Sequence, residues 1–300
     1  MPFISILYED PSEIPLNTEV SIPEFFQDLN LDQMMQSIND GMEEYHLDRF
    51  FNQKPEKLST VNYRQQVFRD LESSKLLAAL RDFSAAMVIV NRYLKMIDKL
   101  YYRCHKEGWF LEAILLYCDA VTTLAGDLNG IPVESSGLQQ VNAYFQQYSQ
   151  SAKFIHLKQE ALEVKSQLQA IRYNIIIDGG TVQVRKYELE SDYSTEVEKT
   201  FGKFKQDKVK NYRVDLGIPS GMNHIERQII DFVAKLFPEE FQHLTKFCGL
   251  NLTFLDETIQ SFYNEIQFYL SYLFFIERFK THGLKFCLPE VTDKSKEIFA

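Results

Sequence analysis

The chain has 300 residues, 45% of them hydrophobic and 25% charged, and a formal net charge of −10. These proportions exclude a disordered or collagen-like polymer. Only 12 glycines and 9 prolines exclude a sandwich, barrel or propeller, which needs a turn every ~8–12 residues. The acidic balance also excludes a surface that is basic throughout, and leaves nucleic acid only a local patch of cations.

An aromatic content of 14% predicts a large helical core, so the fold class is mainly α. Cys104, Cys118, Cys248 and Cys287 lie far apart with no C-x-x-C pair and no signal peptide. That usage predicts reduced thiols in a cytoplasmic protein. The most apolar run, Phe268 to Ile276, is too short to span a bilayer, so no membrane partner is expected.

In chain order, residues 1–30 carry Pro2, Pro11, Pro15 and Pro23 with little helical period and predict an extended, partly docked arm. Residues 31–152 predict a helical core. Asn30 or Asp32 caps a helix through Met35, Ile38 and Met42, and Lys54-Pro55 breaks it. Ser59 or Thr60 opens the next, with Val61, Val67, Phe68 and Leu71 on one side. One long helix follows from Lys75 to Lys106, stopped by Gly108; then come Phe110–Leu128 and a helix started by Ser135 or Ser136.

Phe154, Leu157, Ala161, Val164, Leu168 and Ile171 step by 3 and 4, the narrow stripe of a coiled coil. Met222, Ile225, Ile229, Phe232 and Leu236 repeat that spacing. Either each stripe docks on the body, or residues 153–172 and 222–237 form an antiparallel stem with residues 173–221 as a small module at its tip. The tip reads differently. Tyr173–Ile177 and Thr181–Arg185 flank Asp178-Gly179-Gly180, the strongest hairpin signal in the chain. A short helix with Asp192, Ser194 or Thr195 as cap and Val197, Phe201 and Phe204 on its apolar side follows. Residues 238–300 return to helices, with a long one over Ile259–Phe274 that Gly283 ends, and a strand-like stretch from Leu284 to Val291.

No Walker loop, G-x-G-x-x-G, G-x-S-x-G or H-E-x-x-H occurs, so no catalytic residues, cofactor or metal are expected in the chain itself. Glu43-x-x-His46 and Glu240-x-x-His243 have the spacing of a di-iron bundle but are hardly more than chance supplies among so many acids. His105, His156, His224 and His282 have no triad partners in sequence. Six cations (Lys199, Lys203, Lys205, Lys208, Lys210 and Arg213) face a single acid, Asp207, in the window 199–213; Arg185 and Lys186 on the hairpin extend it. The window reads either as a solvated helix face or as a contact for a phosphate backbone.

Several segments resemble the MutS-type DNA mismatch-repair family, particularly its smaller MutS-related members. They are Tyr63-Arg64-Gln65-Gln66-Val67-Phe68-Arg69-Asp70-Leu71, Asp192-Tyr193-Ser194 through Phe201, Met222-Asn223-His224-Ile225-Glu226, Phe262 to Leu273, and Phe286-Cys287-Leu288-Pro289-Glu290. The resemblance spreads from about Leu31 to the end and implies a core and lever with a reduced clamp. It also implies DNA as partner, a homodimer of the full-length protein, and ATP with Mg in an ATPase domain following this chain. A mismatch-reading domain is expected to be missing, since only about thirty residues precede the core, and its Phe-x-Glu has no match because Phe110-Leu111-Glu112 and Phe237-Pro238-Glu239 lie in helical contexts. The expected function is therefore a DNA-engaging module of a repair ATPase. A structural dimerisation or connector module without DNA binding is the alternative.

Overall fold

A computed structural model describes residues 5–14, 22–53, 55, 57–179, 181–188 and 224–294. Its α-helices are α1 (Phe25–Asp28), α2 (Leu31–Asn39), α3 (Asp48–Phe51), α4 (Leu58–Asp70), α5 (Ser74–Ile97), α6 (Arg103–Gly130), α7 (Ser136–Ser149), α8 (Ala152–Ala170), α9 (His224–Leu236), α10 (Pro238–Leu250) and α11 (Glu257–Lys280). The strands β1 (Tyr173–Asp178) and β2 (Thr181–Lys186) make the one sheet among the described residues. The protein is mainly α.

Local chemistry accounts for several helix ends. The Ser135 hydroxyl accepts the amide of Leu138, and the Asp256 carboxylate accepts that of Ile259, each satisfying an orphan donor of a first turn. Gly283, at φ 87°, ends α11 in the left-handed conformation, with the Leu284 amide donating to Phe279 O. Asn30 makes no side-chain cap.

Three boundaries differ from the sequence expectation. α2 ends at Asn39, before Met42. The helix expected over 75–106 stops at Ile97, where the Lys99 and Leu100 amides close tight turns onto Met96 and Ile97. Gly108 then lies inside α6. It lacks the positive φ of a helix stop, and a lone glycine costs a helix only about 1 kcal/mol. Leu284–Val291, read from sequence as strand-like, lies in no helix or strand. α6 is long and apolar enough by composition to cross a membrane, a test that a core helix also passes, and half of its most apolar window is buried.

The chain divides into two units. The first holds residues 1–92, 113–159 and 253–300. Its core is aromatic: Phe83 meets Phe145 edge-on at 5.6 Å, Phe145 meets Phe262 at 5.5 Å, and Tyr117 meets Phe254 at 5.4 Å. Edge-to-face packing of such rings adds to their area burial. The hydroxyls that burial strands are paired, Tyr45 with Tyr263 at 2.8 Å and Tyr117 with Tyr148 at 3.1 Å.

Within this unit, the Tyr63–Leu71 segment makes its tertiary contacts residue by residue. Tyr63 Oη donates to Ser5 O at 2.7 Å, Arg64 Nε to Leu7 O at 2.9 Å, and Gln65 Nε2 to Pro289 O at 2.8 Å. The Asp70 carboxylate accepts the amides of Glu134 and Ser135 and so holds the start of α7, where a negative charge also suits the helix dipole.

The second unit holds residues 93–112 and 160–252. In it Lys165 of α8 pairs with Glu112 of α6, and His243 Nδ1 lies 2.7 Å from Gln167 Oε1. The Thr245 hydroxyl donates to Glu107, and Tyr93 packs on Trp109 at 4.7 Å.

Candidate functional site

The stripe on α8 is buried as its spacing predicts: Phe154, Leu157, Ala161 and Val164 are all inside, while Ile155 and Leu162 between them are exposed. The side chains that fix α8 laterally meet α6: Lys158 with Thr122 in the first unit, and Lys165 with Glu112 in the second.

α9 buries a different stripe from the one its spacing suggested. Ile225 and Phe232 are exposed, and Val233 is buried with Ile229, Ile230 and Leu236 half-buried beside it. The rotation follows from its neighbours, since α9 packs chiefly on β2 and α10, and Arg227 stacks over Tyr102 at 4.8 Å. Met222 lies outside the described residues.

The chain leaves α8 at Ala170 and enters β1 at Tyr173. The strands pair antiparallel, from Tyr173 opposite Lys186 to Asp178 opposite Thr181. A two-residue loop with Gly179 at φ 56° closes the hairpin; a primed turn of this kind needs positive φ, which glycine adopts without a Cβ clash. Successive residues of a strand point to opposite faces. Tyr173, Ile175, Val184 and Lys186 therefore share one face, and Asn174, Ile176, Gln183 and Arg185 the other.

That alternation separates two candidate cations. Lys186 is exposed, and its Nζ lies 5.0 Å over the ring of Phe237. Arg185 is exposed on the opposite face, across from Asn174. Lys199, Lys203, Lys205, Lys208, Lys210 and Arg213 lie outside the described residues, as does the short helix expected there. Phe237 lies beneath Lys186, and no sequence signal marks it as a platform.

The histidines are placed singly. His243 meets Gln167, and His105 Nε2 accepts the Trp109 indole N–H at 2.8 Å. Burial lowers the His105 pKa from its usual value. Glu107 is raised, first by burial and against its bond from Thr245. Among the described residues no group of three or more His, Cys, Asp or Glu is placed to hold a metal. No family model, curated protein or solved structure matches this chain.

Proposed function

We propose that this chain is a DNA-engaging core, lever and clamp module of a MutS-like DNA repair ATPase, contacting the phosphate backbone and passing on the state of an ATPase domain. The observation that carries the reading is the hairpin. A helix with a narrow buried seam leads into a β-ribbon whose last strand carries the exposed Arg185 and Lys186, just before the window of six cations and one acid. Charge concentrated in this way in a chain of net −10 favours a polyanion, and contacts of this type position a duplex without reading its bases. A connector module that binds no DNA is the second reading. The exposure of Ile225 and Phe232 on α9 favours it.

The test is binding of a labelled duplex by the whole protein across a salt series. The K203E/K205E/K208E variant is expected to weaken binding and to flatten the salt slope by about 0.9 per lost phosphate contact. R185E and K186E are each expected to weaken binding too, since both side chains are exposed on the ribbon. Unchanged affinity in the triple variant ends the DNA reading and leaves the connector.

A further inference from the structure

The segment Ser5–Tyr8 belongs to no helix or strand, yet it is buried: Ser5 is 1% exposed, Ile6 and Leu7 0%, and Tyr8 2%. An irregular backbone can be buried only when its polar groups find partners. Here side chains supply them. Tyr63, Tyr269 and Arg64 donate to the carbonyls of Ser5, Ile6 and Leu7 at 2.7, 2.8 and 2.9 Å. The Ser5 hydroxyl accepts the amides of Leu7 and Tyr8 at 3.0 and 3.1 Å.

The remaining donors converge on one carboxylate. Ser5 Oγ and the Ile6 amide each lie 2.8 Å from an oxygen of Glu265, a residue of α11 only 9% exposed. Among the described residues no ion pair within 4.0 Å involves Glu265. The charged and titratable groups facing it are Arg49 from α3, Tyr63 and Arg64 from α4, Tyr8 from the segment itself and Tyr269 from α11. Arg64 holds Leu7 O through Nε and lies with its guanidinium 4.8 Å over Tyr8, while its Nη2 is buried without a hydrogen-bond partner. Arg49 lies 4.5 Å over Phe50.

We propose that Glu265 is a proton-operated latch for the N-terminal segment: docking of Ser5–Tyr8 takes up a proton at this carboxylate, and loss of the proton loosens the dock. The segment itself seals Glu265 from water, and a carboxylate sealed without a close cation disfavours its charge. Burial therefore raises the Glu265 pKa to about 7, against the pull of the Ile6 and Ser5 hydrogen bonds and of the two arginines. When the segment leaves, water reaches the carboxyl and the ordinary value returns.

The sign follows from linkage. An acid raised from 4.5 to about 7 in the docked state holds a proton that the undocked state releases. Docking is thus strongest below pH ~4.5 and weakens as pH rises to about 7.

Hydrogen exchange on the intact protein, corrected for intrinsic rates, tests the latch between about pH 5.5 and pH 8.5. Protection of the Ile6, Leu7 and Tyr8 amides is expected to fall roughly thirtyfold with rising pH, while α7 of the same unit keeps its protection. E265Q keeps the shape and an acceptor but cannot titrate, so its protection is expected to stay level. S5A removes a donor to the ionised form and moves the midpoint upward. The carboxyl carbon resonance of Glu265 in the unsubstituted protein is a second readout, which does not depend on any variant folding, and is expected to titrate near 7. Level protection in the unsubstituted protein, an equal fall in E265Q, or a carboxyl midpoint near the usual 4.5 would each overturn the proposal.

Discussion

The hydroxyl of Tyr63 stands 2.8 Å from the point that a Cβ on Gly137 would occupy. That hydroxyl is held there by its bond to Ser5 O, so it cannot yield freely. Glycine at the start of α7 is thus the width α4 and α7 require, although its backbone is ordinary helix.

G137A should therefore reverse the usual ranking. Alanine normally stabilises a helix by up to about 1 kcal/mol over glycine, whereas a clash of this kind costs about 1–3 kcal/mol. In a Y63F background the obstructing oxygen is gone and only Cζ, 3.1 Å from the Cβ position, stays close, so the same substitution should cost clearly less. Denaturant midpoints of the four proteins measure this. Equal destabilisation in both backgrounds would rule out the Tyr63 contact as the cause.

Trp109 is the single tryptophan of the chain, and its indole N–H donates to His105 Nε2. That bond needs the imidazole neutral, and burial already pulls the His105 pKa below 6.5. A base depressed in the fold adds stability above its unfolded pKa and loses it as pH falls through the folded one. Tryptophan emission should accordingly change with a midpoint below 6.5, and H105Q should abolish the transition. A midpoint at or above 6.5 would contradict this environment.

The four thiols should separate by reactivity. Cys287 is exposed and Cys104 half-buried, while Cys118 and Cys248 are buried with their thiols pushed up to about 12. Only thiolate reacts quickly, so maleimide should label Cys287 first and Cys104 more slowly. Burial and Glu107 raise the latter. Cys118 and Cys248 should stay unlabelled until the protein unfolds. Mass spectrometry of native and denatured samples reads the order, and early modification of Cys118 or Cys248 would refute their burial.

Much of the local grammar was legible. Ser135 and Gly283 act at the helix ends where their chemistry placed them, and the 3–4 stripe on α8 is buried from Phe154 to Val164. Turn chemistry at Gly179 located the hairpin. Of the eight cations named from sequence, only Arg185 and Lys186 fall among the described residues. Alternation along β2 is enough to put these two on opposite faces, but not to show that Phe237 lies beneath one of them.

Gly108 and α9 show why the rest was not legible. A glycine stops a helix only if the surrounding chain lets it adopt positive φ, and amphipathic spacing leaves the buried face open to rotation by whatever packs on it. Residues 5–8 are the extreme case. Composition marked the arm as extended, yet its receptor, Glu265, lies 260 residues along from Ser5, inside a stripe that reads as ordinary core. The sequence by itself determined a helical body, a single predicted ribbon and a strongly localised positive charge, because caps, turns and periodicity act over a few neighbouring residues. Only the tertiary structure decided which faces meet and which acid is sealed from water, because burial and desolvation depend on groups that the chain brings together from its two ends.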